Sequence, residues 1–277
     1  MIRWLAGDRV IFDGGRPRVM GILNVTPDSF SDGGRSSTLD LALARAEQMV
    51  AEGADLLDVG GESSRPGAAV VPVEEEIARV VPVVEALTNR VGVPISVDTT
   101  KVEVARLCLA AGAAIVNDIR GLDDPELARL VAATGAGVVL MHMQGTPRTM
   151  QDAPTYGDVV AEVRDELRRK VERAVAAGIA PQRIAIDPGI GFGKTHEHNL
   201  ALLRDLGALA PIGRVVLIGT SRKGLLGKIT GRGVGDRAVA SAASALAAAS
   251  LGARVVRVHD VVATVDAFKV WEAQRGW

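Results

Sequence analysis

Eight short apolar runs in this chain stop abruptly at residues that can do chemistry. They end at Asn24, Asp58, Asp98, Asn117 with Asp118, Met141 with His142, Asp187, Gly219 and His259. If the runs are strands of one parallel barrel, their carboxyl ends converge on a single mouth, and side chains far apart in sequence line one pocket. Carboxylates and carboxamides dominate that pocket. A single Asp or Asn in such a place also caps a helix or opens a turn, but its recurrence at run after run favours a binding site.

Three loops add groups suited to an anion. GGESSRPGA (60–68) sets Ser63, Ser64 and Arg65 between glycines, so backbone amides, a hydroxyl and a guanidinium can meet one charged group. GTSRKG (219–224) follows the seventh run with Ser221, Arg222 and Lys223, and RVHD (257–260) ends the eighth with Arg257 and His259. The ends of strands seven and eight are the usual phosphate position of such barrels, so a phosphorylated substrate is expected. DPGIGFGK (187–194) is not a nucleotide loop: a Walker A motif needs glycine where Pro188 stands, and a dinucleotide fingerprint needs its last glycine one residue after Gly193. What remains is a carboxylate at a strand end, then a glycine-rich turn that brings backbone close to a ligand beside Phe192.

The histidines do not read as a metal cluster. His196 and His198 are two apart, which on a helix sends them to different faces, His142 and His259 stand alone, and the one cysteine makes no zinc site. A hard ion such as Mg²⁺, held by Asn24 and mostly by substrate phosphates and water, is the metal expected. Asn24 also ends the strand that feeds MGILNVTPDSFSDGG (20–34), whose polar loop carries Phe30 as its one aromatic. Residues 26–34 are expected to act as a lid that orders when the anionic substrate is bound.

The elements that must position these groups alternate regularly. Strand-like runs fall at 19–24, 55–60, 94–98, 113–118, 137–142, 183–188, 214–219 and 254–259, with helical spacing at 39–52, 74–90, 102–111, 126–134, 159–177, 199–209, 236–251 and 261–274. Gly53, Gly112, Gly135, Gly178 and Gly252 stand just beyond helices, where a left-handed closing residue is expected. Eight helices alternate with eight strands that are apolar on both faces, which argues for an α/β (β/α)₈ TIM barrel over an open doubly wound sheet. Residues 1–18 read as an N-terminal β-hairpin covering one end, and 19–277 as the barrel, a single domain overall.

Composition narrows the function classes. Of 277 residues, 48% are hydrophobic, enough for a sizeable core, and the net charge of -1 gives no reason to expect nucleic acid or an anionic membrane as partner. Cys108 lies in an apolar helical context and reads as a buried inert thiol in a reducing compartment. The first residues lack the apolar core of a signal peptide, and the longest low-polarity run is too short to span a bilayer, so a cytoplasmic location is expected.

Taken together, MGILNVTPDSFSDGG, DVGGESSRPGA, SVDT, VND, LMHMQGTP, DPGIGFGKT, SRK and RVHDV, in this order and spacing, resemble dihydropteroate synthase of folate biosynthesis from about residue 19 to the carboxyl terminus. The resemblance implies a pterin-binding TIM-barrel transferase, a sulfonamide target and a homodimer. The reaction it implies joins 6-hydroxymethyl-7,8-dihydropterin pyrophosphate to p-aminobenzoate, releasing 7,8-dihydropteroate and pyrophosphate. It further implies that Asp98, Asn117, Met141, Asp187, Phe192, Lys223 and Arg257 hold the pterin, with Asp98, Lys223 and Arg257 catalytic. Asn24, Ser64, Arg65, Arg257 and His259 would meet pyrophosphate, with Asn24 also on Mg²⁺. Phe30, Ser64, Arg65, Pro66, Phe192, Ser221 and Lys223 would surround p-aminobenzoate. Ser64 stands where the family commonly has threonine, and Gly224 where it often has serine after the lysine. A pterin-dependent methyltransferase of the same superfamily would share the Asp/Asn grip on the pterin, but its substrate brings no pyrophosphate for SSRPG, RVHD and the 26–34 loop to meet.

Overall fold

The computed structural model describes residues 2–26 and 35–275, without the side chains of 35–37 and 275. The chain opens with the hairpin β1 (Trp4–Ala6) and β2 (Arg9–Phe12). Strand β3 (Arg18–Asn24) is followed by α1 (Arg35–Ala51), β4 (Leu56–Gly60), α2 (Val73–Thr88), β5 (Ile95–Asp98), α3 (Val102–Ala110) and β6 (Ile115–Asp118). Next come α4 (Pro125–Thr134), β7 (Gly137–Met141), α5 (Val159–Ala176), β8 (Ile184–Asp187), α6 (His196–Arg204) and β9 (Val215–Ile218). The chain finishes with α7 (Gly224–Thr230), α8 (Ala238–Ser250), β10 (Val255–Val258) and α9 (Val261–Arg275). Strands β3 to β10 pair in parallel and close into a barrel, β10 against β3. This is the TIM barrel read from the sequence.

Local chemistry sets the helix ends. Asp124 caps α4 by accepting the Glu126 N–H at 2.8 Å, Pro125 occupies its first turn, and Gly135 closes it at φ 70°. Asp158 caps α5 through the Val160 and Ala161 amides, both at 3.0 Å. All five glycines expected beyond helices have positive φ. Three segments differ from the spacing. The helix expected over 199–209 stops at Arg204 and continues as the 3₁₀ segment Leu206–Ile212, since Gly207 weakens the helix and Pro211 cannot donate within it. Helix α1 begins four residues earlier than its apolar spacing suggested. Helix α7 has only 7 residues, two of them glycine, too few to show a period.

Strand alternation divides the core in two. Val19, Leu23, Leu57, Val97, Val116, Val138, Ile186 and Val258 face outward into the helix shell, where Cys108 is also fully buried. Burial pushes the Cys108 thiol up to about 12, as an inert core residue requires. Met20, Leu56, Ile115, Val139, Ala185, Val215, Leu217 and Val255 point inward and pack with Trp4, Ala6, Ile11 and Phe12 of the hairpin. The hairpin therefore plugs the amino ends of the strands. Trp4 is fully buried and donates its indole N–H to the Arg183 carbonyl at 3.1 Å, and the Gly7 amide bonds the Gly135 carbonyl at 2.9 Å.

Trp4→Ala empties that plug and orphans the carbonyl. It should cost about 3–5 kcal/mol in urea unfolding, the range for deleting a buried large aromatic. A loss below about 1 kcal/mol would mean that the hairpin is not part of the core.

Candidate active site

Two residues above the apolar layer, the same inward face turns polar. Because side chains repeat every second residue, Asp58 stands above Leu56, Asn117 above Ile115, Met141 above Val139, Asp187 above Ala185 and Arg257 above Val255. Asp98 shares that face with Ser96 one step below it. The structure thus gathers the carboxylates and carboxamides from the strand ends over a sealed hydrophobic floor.

Arg257 organises this layer. Its Nε donates to Asp58 Oδ2 at 2.5 Å and its Nη2 to Asp98 Oδ2 at 2.7 Å, while Asn117 Nδ2 donates to the same Asp58 oxygen at 3.0 Å. Asp58 is fully buried. Burial would lower the affinity of Arg257 for its proton, but the Asp58 and Asp98 carboxylates more than offset this and keep it charged. Burial pushes the Asp98 carboxyl up to about 7, against the pull of Arg257 and with further push from Asp58. Two carboxylates sharing one guanidinium in a dry site leave Asp98 poised near neutrality.

Across the mouth, the glycine turn after β8 shapes a second group. Gly189 donates its N–H to Asp187 Oδ1 at 2.7 Å, and its φ of 68° sets its α-carbon directly against the His142 carbonyl. A side chain there would collide with that carbonyl, so only glycine fits. The turn carries Phe192 beneath the ammonium of Lys223, whose Nζ lies 4.6 Å from the ring centroid and donates to the Ile190 carbonyl. Burial raises the Asp187 carboxyl, opposed first by Lys223, and burial draws the Lys223 ammonium down to about 8.

On the β9–β10 side, Ser221 Oγ accepts the His259 backbone N–H at 3.1 Å and lies 3.0 Å from its Nδ1, so the hydroxyl proton and the ring tautomer are set together. Burial, then the charge of Arg257, lowers the His259 imidazole to about 3 and leaves it neutral at physiological pH. The anion loop is attached from behind. Lys101 Nζ bonds Glu62 at 2.6 Å, the Val71 carbonyl at 2.7 Å, and Glu76. Ser64 is half-buried, whereas Arg65 and Pro66 face solvent. A cavity of about 690 Å³ runs from Ser64 to Asp98, also lined by Glu62, Thr99, Lys101 and Arg120.

The site residues expected from the sequence thus fall into a joined core and a rim. Arg257 bonds Asp98 directly and Asn117 through Asp58, the Lys223 ammonium lies over Phe192 and acts electrostatically on Asp187, and Met141 points into the same layer. Asn24 ends β3 on the inward face, half-buried, with no hydrogen bond to its carboxamide among the described residues. Ser64, Arg65 and Pro66 stand apart at the rim, and Phe30 lies outside the described residues, as does most of the 26–34 segment. Two buried groups carried no assigned role in the sequence. Asp58 was visible as a strand end, but its part as the hub was not. Lys194 is 2% exposed, lies 2.9 Å from His142 Nδ1 and donates to the Phe192 carbonyl at 2.9 Å, pinning the glycine turn to the end of β7. Burial draws its ammonium down to about 7 and the His142 imidazole to about 3.

With this geometry in view, the likeness to known proteins is extensive. A family model described as pterin binding enzyme matches residues 20–259. Dihydropteroate synthase of Escherichia coli (strain K12) is 51% identical over 257 residues, 93% of this chain and 91% of that protein. The Yersinia pestis dihydropteroate synthase, solved as a sulfonamide drug complex, superposes with a TM-score of 0.93 at 47% identity, both chains covered in full. The Xanthomonas albilineans dihydropteroate synthase in complex with 7,8-dihydropteroate gives 0.89 at 46% identity, with 99% of each chain covered. The matched span includes all eight barrel strands but for the first two residues of β3, and every polar group of the mouth described above. The chain belongs to the dihydropteroate synthases, a family of pterin-binding enzymes.

Proposed function

We propose that this chain condenses 6-hydroxymethyl-7,8-dihydropterin pyrophosphate with p-aminobenzoate, forming 7,8-dihydropteroate and releasing pyrophosphate in folate biosynthesis. The observation that carries the reading is the polar layer that gathers Asp98, Asn117 and Asp187 at the strand ends with Arg257 and Lys223 beside them. A 2-amino-4-oxo pyrimidine edge is a row of N–H donors and carbonyl and nitrogen acceptors, which carboxylate and carboxamide groups can match in a dry pocket. Asp98, Asn117 and Asp187 read that edge. Lys223 reaches the pterin oxygen and ring nitrogen, Met141 and Phe192 wall the ring, and Arg257 lays its planar guanidinium on it while facing the leaving phosphates.

Charge governs the bond cleavage. As the methylene–oxygen bond breaks, negative charge grows on the bridging oxygen, where Arg65 and Arg257 supply positive charge and neutral His259 a ring N–H. The methylene cation that remains is delocalised into the pterin beside Asp98 and Asp187. This favours an S_N1-like path, in which the arylamine nitrogen of p-aminobenzoate bonds the methylene carbon and the acidic anilinium so formed gives its proton to water, without a general base. Ser64, Arg65, Pro66, Phe192, Ser221 and Lys223, with Phe30, surround that second substrate.

The residues at the rim fit Mg²⁺ of a particular kind. Among the described residues no group of three or more His, Cys, Asp or Glu converges on a metal position. Asn24 offers one neutral oxygen donor with no competing bond, so the ion would take its other oxygens from the substrate pyrophosphate and water. When bound, it neutralises charge on the leaving group.

A homodimer accords with the apolar residues left in solvent around α7 and α8, Ile229, Val234 and Val239, the last 81% exposed. No helix among the described residues is long and apolar enough to cross a membrane, and we assign the enzyme to the cytoplasm.

The direct test is pyrophosphate release from the dihydropterin pyrophosphate, which should require p-aminobenzoate and match dihydropteroate formed one for one. Release without dihydropteroate, or none, would overturn the reading and reopen the methyltransferase alternative. Asp98→Asn should lower kcat about 10²-fold and raise the KM for p-aminobenzoate far less; an unchanged kcat would remove Asp98 from the chemistry. Lys223→Ala should weaken pterin binding in calorimetric titration, and wild-type affinity would exclude it from the site. Pterin binding needs Asp98 ionised and Lys223 charged. With these groups at about 7 and about 8 in the free protein, affinity should rise with pH through 7 and fall above 8. Asp98→Asn should abolish the rise, and a flat wild-type profile from pH 6 to 9 would contradict the assignment.

A further inference from the structure

The SRK segment contains a backbone conformation that its sequence does not favour. Arg222 has φ 58°, one of two non-glycine residues with positive φ among those described. For a residue with a Cβ this left-handed state is disfavoured about 5- to 30-fold. The turn it makes lets Ser221 meet His259 on one side while Lys223 reaches the Ile190 carbonyl and the Phe192 ring on the other. Both sets of contacts are made with residue 222 left-handed.

The contacts of Arg222 lead away from the substrates. Its Nε donates to Asp260 Oδ2 at 3.0 Å and its Nη2 to Asp260 Oδ1 at 2.5 Å, a bidentate pair with the carboxylate end-on to the fork. Its backbone N–H goes to Ser241 Oγ at 3.0 Å, a fully buried side chain of α8, and Arg237 Nη1 donates to the carbonyls of Arg222 at 3.0 Å and Lys223 at 3.3 Å. Asp260 follows His259 directly. The end of β10 therefore holds the loop after β9 at two successive residues, Ser221 through His259 and Arg222 through Asp260.

We propose that the Arg222–Asp260 pair is a positioning device that keeps residue 222 left-handed, so that Ser221 faces the aminobenzoate pocket and Lys223 the pterin. The guanidinium of Arg222 is taken up by Asp260. The assignment rests on the reaction proposed above, and it gives the last residue of RVHD a duty distinct from the anion site of Arg257 and His259.

Glycine separates this role from a plain structural ion pair, because glycine takes φ 58° without steric cost and needs no clamp. Asp260→Ala and Arg222→Ala should each raise the KM for p-aminobenzoate about tenfold with a smaller change in kcat. Asp260→Asn, which keeps the volume and one acceptor oxygen, should fall between. The double variant Arg222→Gly/Asp260→Ala has no ion pair and should nevertheless return to within about threefold of wild type. Amide hydrogen exchange of residues 220–224, which requires no turnover, should follow the same order: fast in the two alanine variants and protected in the glycine double variant. A double variant no better than Arg222→Ala, or an Asp260→Ala with unchanged KM and exchange, would overturn the proposal. Wild type assayed alongside keeps the two questions apart, since absence of dihydropteroate there would overturn the reaction while the exchange order would still decide the clamp.

Discussion

The structure of the mouth depends on one arrangement, a guanidinium shared by two buried carboxylates. Arg257 reaches Asp58 and Asp98 from a strand 199 and 159 residues away in sequence. A buried charge without a partner costs several kcal/mol, so the guanidinium and the two carboxylates stabilise one another in this layer. The triad thus ties the second, third and eighth barrel strands to one another at the mouth, and Asn117 of the fourth strand joins them through the same Asp58 oxygen. It also sets the charge on Asp98 near its point of change, which a substrate donor edge can then settle.

The rest of the fold makes that layer possible. Strand alternation sends every second residue inward, the lower inward positions are apolar apart from Ser96, and the hairpin closes them from below with Trp4 and Phe12. Water is excluded from beneath the polar layer, so its groups interact in a medium where each charge counts for more than at the surface. The opposite wall is held by backbone close-packing rather than by charge: Gly189 against the His142 carbonyl, Gly193 against that of Gln144, and buried Lys194 joining the two segments. The sequence of glycines in GIGFG is the record of those close approaches.

Much of this was legible from residue order. Apolar runs that end in Asn or Asp mark barrel strands and their functional ends at once, because the same short period governs burial and direction. Asp98, Asn117, Asp187 and Arg257 could be placed on the mouth for that reason. The role of Asp58 was hidden because its partner lies on the last strand and only barrel closure brings them together. Lys194 was equally hidden, since a lysine after a glycine run reads as solvent-facing and its burial depends on His142, 52 residues earlier. The left-handed turn at Arg222 leaves no mark in composition at all, because it is imposed by Asp260, Ser241 and Arg237 rather than chosen by the residue. Helix α7 and the 3₁₀ segment after α6 escaped because neither repeats long enough to have a period.

The claim that the shared guanidinium organises pterin recognition is tested most directly by a double-mutant cycle. Affinity for a dihydropterin ligand would be measured by calorimetry in wild type, Asp58→Asn, Arg257→Gln and the double variant. Residues that act through one bridge should be strongly coupled, with an interaction energy of about 1–3 kcal/mol. Effects that add to within about 0.5 kcal/mol would contradict the account and make Asp58 a bystander.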